Sequence, residues 1–162
     1  MSEALQVTDA RTTEKSLMKG LLAGLIAGAV ATAAKSLAER VYPPRTHGEP
    51  EPPDVLVEKI AGRELSGPAK ALAAGSIHWG FGVATGAAYG ALAEYFPAAT
   101  DKDGASFGLA LAALTHENAL PALGLSADAG DQTPREHTSE MASHLVFGVV
   151  TETVRRFVRK HL

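Results

Sequence analysis

Three histidines and several glutamates stand where ionisable groups are costly. His78, His116 with its neighbour Glu117, His144 and Glu152 fall within or at the ends of long, mostly uncharged stretches, and Glu39 closes another. Such groups normally face a bundle interior or a wet cavity. Three chemistries fit them. Histidine and glutamate can hydrogen-bond across helices and hold a bundle together. They can form a titratable relay that handles protons or ions. They can also hold a transition metal between facing helices, with His78, His116, His144 and Glu152 as the ligand set. Glu140 and His144, one helical turn apart, form a local ligand pair, but no Glu-x-x-His motif occurs. All three chemistries stay open; no catalytic residue is assigned and no cofactor is favoured.

Familiar enzyme signatures are missing. His116-Glu117-Asn118-Ala119-Leu120 begins like a zinc-protease helix but lacks the second histidine. Gly80-Phe81-Gly82-Val83-Ala84-Thr85-Gly86 has the wrong third spacing for a dinucleotide loop and no strand before it. With no cysteine, thiol nucleophiles, disulfides and Cys-ligated metals are excluded. A net charge of −3 gives no basic face for nucleic acid. The expectation is a non-enzymatic protein.

The elements that must position these residues are helices. Residues 1–13 read as a flexible polar tail, and residues 14–162 as a single domain. Four Ala- and Gly-rich stretches follow, at about 17–41, 70–96, 104–120 and 134–160. The second is the clearest span, with 23 uncharged positions between Lys70 and Glu94, more than the ~20 residues a bilayer core requires. Ser66 is its expected N-cap and Asp103 that of the third. Thr133-Pro134-Arg135-Glu136 opens the fourth as a capping box. Between the first two stretches, a proline-rich run leads into a short amphipathic helix over 54–61. Leu56 and Ile60 share one face of it, suited to a membrane surface.

Spacing of tiny residues separates a membrane bundle from a soluble one. Gly20, Gly24 and Gly28 recur every fourth residue, as do Gly82, Gly86 and Gly90, Gly104 and Gly108, and the row containing His144, Gly148 and Glu152. Glycine inside a water-exposed helix costs about 1 kcal/mol against alanine. In lipid the same spacing lets helix backbones touch. The expected fold is therefore all-α, an integral-membrane four-helix bundle with Gly/Ala-rich close-packed interfaces, and its partner is the lipid bilayer. The stripes also suit pairing with a second copy or another membrane protein. A slight Lys/Arg excess, with Arg155, Arg156, Arg159 and Lys160 at the end, places both termini in the cytoplasm.

Several runs carry a likeness. His78-Trp79-Gly80-Phe81-Gly82, Leu114-Thr115-His116-Glu117 with Pro121-Ala122-Leu123-Gly124-Leu125, and Glu140 before His144-Leu145-Val146-Phe147-Gly148 with Thr151-Glu152 resemble the YagU-like family. The likeness spans roughly residues 17–160. It implies a multi-pass bacterial inner-membrane protein and supplies no reaction or cofactor.

Overall fold

The computed structural model describes residues 14–162; the tail expected over residues 1–13 lies outside them. Among the described residues the chain is all-helical, without strands. Helix α1 spans Leu17–Val41, α2 Pro52–Ala61 and α3 Gly67–Tyr95. A kinked turn, Pro97–Gly104, leads to α4, Ala105–Leu114. Then a π-helical turn, Thr115–Ala119, runs into the single turn α5, Leu120–Ala122. The last helix, α6, spans Pro134–His161.

Helix ends follow local chemistry. Ser16 Oγ accepts from the Lys19 amide at 3.4 Å, and Thr133 Oγ1 accepts from the Glu136 amide at 3.1 Å, each satisfying an orphan N–H of a first turn. The capping box at Thr133 is one-sided, because the Glu136 carboxylate turns away to Arg45 at 3.1 Å. Two expected caps are corrected. Ser66 makes no side-chain cap bond to α3. Asp103 does not cap the third helix: Gly104 is the N-cap, with φ +86°, and Asp103 Oδ1 pairs with Arg156 at 2.7 Å. Pro121 does not end the third stretch either. Its missing N–H is accommodated by the π turn, where the Leu120 amide bonds to the Thr115 carbonyl. The helix then closes on Gly124, at φ +64°, with Leu125 N–H reaching Leu120 O at 2.9 Å and Gly124 N–H reaching Pro121 O at 2.8 Å.

Backbone contact sets the packing. Helix α1 lies antiparallel to both α3 and α6, and α6 lies antiparallel to α4, so the spatial order is α3, α1, α6, α4. A Cβ placed on Gly28 would sit 2.6 Å from the Gly82 carbonyl oxygen, and one on Gly90 would sit 2.7 Å from Gly24 Cα. One on Gly24 or Gly20 would likewise strike the backbone of Gly86 or Gly90. On the other side, a Cβ on Gly148 would sit 2.8 Å from Gly108 Cα, and one on Gly104 would strike the Gly148 carbonyl. All nine spaced glycines are buried within the chain. Bulkier residues cannot replace them without prising helices apart.

The resulting distribution is inverted. Leu22, Leu25, Ile26, Val30, Phe81, Leu109, Leu145 and Val149 are exposed, while Thr32, Ser139, Glu140, His144, Thr151 and Glu152 are buried. Among the described residues, hydropathy nevertheless singles out α1 alone as long and apolar enough to cross a membrane, with a mean of 1.7 over its best 18 residues. The second stretch, expected as the clearest span, does not pass. Its centre is uncharged but built from Ala and Gly, which are barely hydrophobic, whereas α1 carries Leu21, Leu22, Leu25, Ile26 and Val30.

Candidate functional site

Helices α3 and α4 meet at only one end, where the Tyr89 and Phe107 rings stack at 4.2 Å. Towards the other end they part, leaving a cavity of about 670 Å³. Helix α2 lies across this opening: Pro52 and Leu56 line it, and Lys59 Nζ reaches the Leu123 carbonyl at 2.6 Å. Ile60 points outward at 75% exposure, and α2 buries Pro52 and Val57. Most of the cavity wall is apolar. One polar strip crosses it, made of Ser36, Glu39, His78, His116, Glu140 and His144.

Glu140 is the centre of that strip, with a side chain only 3% exposed. Its Oε1 accepts from Arg45 at 3.1 Å, and Arg45 also grips Glu136 at 3.1 Å and Glu51 at 2.8 Å. This holds the proline-rich loop onto α6. Although burial works against the Arg45 charge, its three carboxylate partners together hold its pKa above the ordinary value. On the other carboxylate oxygen, Oε2, Lys35 Nζ approaches to 3.6 Å, His116 Nε2 to 3.2 Å and His144 Nδ1 to 3.8 Å. Yet Oε2 is buried and accepts no hydrogen bond. The His116 and His144 rings meet edge-on, with centroids 4.9 Å apart. His144 Nδ1 lies 2.9 Å from the Glu140 backbone carbonyl. A carbonyl only accepts, so Nδ1 carries the proton of that bond and Nε2 keeps its lone pair.

The second polar centre lies about 18 Å further along α6, twelve residues at 1.5 Å each. Glu152, 1% exposed, accepts from Tyr89 Oη at 2.8 Å, from Arg155 at 2.7 and 2.8 Å, and from Arg156 at 2.6 Å. Both of its oxygens are fully engaged.

A family model described as a protein of unknown function, DUF1440, matches residues 29–153, which take in Glu140 and Glu152, the second half of α1, all of α3 and α4, and most of α6. The chain belongs to the DUF1440 family. No curated protein and no solved structure matches it. The DUF1440 match identifies the protein as one of an uncharacterised family and assigns no activity to either centre.

Within this DUF1440 chain, the residues singled out by sequence divide. His116 and His144 come together. His78 lines the same cavity but pairs with Ser36 Oγ at 3.1 Å, and Glu39 pairs with Lys35. Glu117, one residue on from His116 in the π turn, faces the other way, to His137 Nδ1 at 3.0 Å. Glu152 does not belong with the histidines. Of the candidate ligand set His78, His116, His144 and Glu152, His116 and His144 come together beside Glu140, whereas Glu152 lies in the other centre and His78 bonds Ser36. The i, i+4 spacing of Glu140 and His144 carried the signal for this. No sequence signal pointed to Arg45.

Proposed function

We propose that the chain is a four-span, non-enzymatic accessory protein of a bacterial cytoplasmic membrane, akin to the YagU-like proteins it resembles. In this reading the Glu152 centre ties the bundle together. The Glu140 centre forms the polar wall of a binding cavity. The observation that carries the membrane part is the inverted surface: large aliphatic and aromatic side chains outside, with Gly, Ser, Thr, His and Glu inside. In water this arrangement leaves extensive apolar area exposed at about 25 cal/mol per Å². In lipid it is the expected one, since close backbone contact replaces a hydrophobic core. Arg155, Arg156, Arg159 and Lys160 near the end of α6 favour cytoplasmic termini, which puts the cavity towards the opposite face.

The absence of native cysteine makes the test simple. Single cysteines at Leu25, Val30 and Leu109 should resist a water-soluble maleimide in intact membranes. A cysteine at Gly48 should be labelled from one side only. Labelling of all four in a carbonate-extractable fraction would overturn the membrane placement.

A further inference from the structure

We infer that His116, Glu140 and His144 form a binding site for one divalent transition-metal ion. This deepens the reading above by naming the occupant of the same cavity wall. One ligand-capable atom from each of the three residues lies within 4.8 Å of the others. His116 Nε2 and Glu140 Oε2 are 3.2 Å apart. That suits two donors on one ion at about 2.0–2.2 Å, whose mutual separation is about 2.8–3.6 Å in octahedral or tetrahedral geometry.

The decisive feature is Glu140 Oε2. A buried carboxylate oxygen without a hydrogen-bond donor is costly in free energy. Here it stands between two imidazoles at the edge of a cavity, where an ion would satisfy it. His144 would ligate through Nε2, since Nδ1, 3.8 Å from Oε2, carries the proton. His144 spends its Nδ1–H on the Glu140 backbone carbonyl, the outer-shell bond that fixes the tautomer and ring of a metal-ligating histidine. Arg45 on Oε1 fixes the carboxylate in the same way and leaves Oε2 free.

Charge agrees too. The network joins two cations, Lys35 and Arg45, to four carboxylates, Glu39, Glu51, Glu136 and Glu140. At the rim, Arg40 and Asp54 balance each other. With neutral histidines the network carries a formal charge of −2, part of it on the half-exposed Glu51, so it favours a cation. Lys35, the one cation near Oε2, already contacts Glu39 and can withdraw to it. Two nitrogens and one oxygen select zinc, iron, cobalt or manganese over calcium or magnesium. The third side of the ion faces the cavity, leaving positions for water or a small ligand.

The test uses the full chain in detergent, purified without a histidine tag and stripped with EDTA. It is titrated with Co²⁺, followed by visible absorption, and with Zn²⁺ in competition with a chelator. One ion per chain is expected. His116→Asn, His144→Gln and Glu140→Gln should each weaken binding by at least about 100-fold, more than loss of an outer-shell partner. His137→Ala and His47→Ala should retain the site. No binding by the stripped wild-type chain overturns the inference, whether or not the variants fold. So does binding that all three ligand variants retain. Partition into membranes is scored separately. A membrane-bound chain that takes no metal refutes only the metal site, and a metal-binding chain found in the soluble fraction refutes only the membrane reading.

Discussion

The Glu140 and Glu152 centres sit on one helix, at nearly equal burial, yet they are built for opposite ends. Around Glu152 every acceptor position is met by a donor aimed at it: one phenol from α3 and two guanidiniums from the next turn of α6. A closed ion-pair cluster of this kind fixes geometry and leaves no room for a ligand. Around Glu140 the donors cover one oxygen and stop. The other accepts no hydrogen bond and faces two histidines, the Lys35 ammonium at 3.6 Å and a cavity. Proximity to helix ends does not explain the contrast. What differs is how α3 and α4 meet. Tyr89 and Phe107 bring them together beside Glu152, whereas near Glu140 they flank a cavity that α2 lies across. Burial alone thus says little about a carboxylate's role; the satisfaction of each of its oxygens says much more.

Removing each carboxylate should separate the two centres most sharply. Glu152→Ala strands Arg155 and Tyr89, for which Glu152 is the carboxylate partner, so a loss of about 3–5 kcal/mol is expected, read by denaturation in detergent. Glu140→Gln leaves Arg45 with Glu51 and Glu136, and Lys35 with Glu39. Its stability loss should stay near 1 kcal/mol, while metal binding is abolished. Equal losses from the two changes would erase the distinction.

Next in size is Gly108→Ala. The added methyl would strike the His144 backbone carbonyl and lie 3.2 Å from Gly148 Cα, so overpacking of about 1–3 kcal/mol is expected. Because it pushes α4 from α6, it should also separate His116 from Glu140 and weaken the metal site. Gly80→Ala, where an added methyl meets nothing within 4 Å, should do neither. Melting curves combined with the Co²⁺ titration would show both effects.

Arg156→Ala removes a half-exposed partner of Glu152. Its effect should fall below about 1 kcal/mol and shrink with salt. The smallest expected effect concerns the tie between α2 and α3. Lys70 bonds Glu58 at 2.7 Å and, with the Leu65 amide, lowers the Glu58 pKa. The folded value lies below the unfolded one, so the contribution of this pair is present above the ordinary carboxylate range. It is lost as pH falls through the lowered value. Amide protection factors in α2 should therefore fall under acid before those of α1 or α6 do.

Much of this architecture could be read in the residues. The tetrad-spaced glycines marked the seams, because only a missing Cβ lets two helix backbones touch, and that requirement leaves a period in the chain. Thr133-Pro134 marked the start of α6. The histidines marked a polar interior. Which carboxylate would join them was not legible. Glu140 and Glu152 share one stripe of α6, and the choice between them depends on where α3 and α4 part, a property of two distant segments. Arg45 lies in a proline-rich run whose path no periodicity fixes, so its three carboxylate partners emerged only from tertiary contacts. The continuation of the third helix through Pro121 was hidden for a local reason: a proline ordinarily stops a helix, and here a single π turn absorbs it.

The most direct test is zinc-edge anomalous diffraction from crystals of the full chain grown with Zn²⁺. The expected result is one peak about 2.0–2.2 Å from His116, Glu140 and His144, with none beside Glu152. A well-ordered bundle with no density in that triangle, or with zinc at Glu152 instead, would contradict the assignment of Glu140 as the open centre.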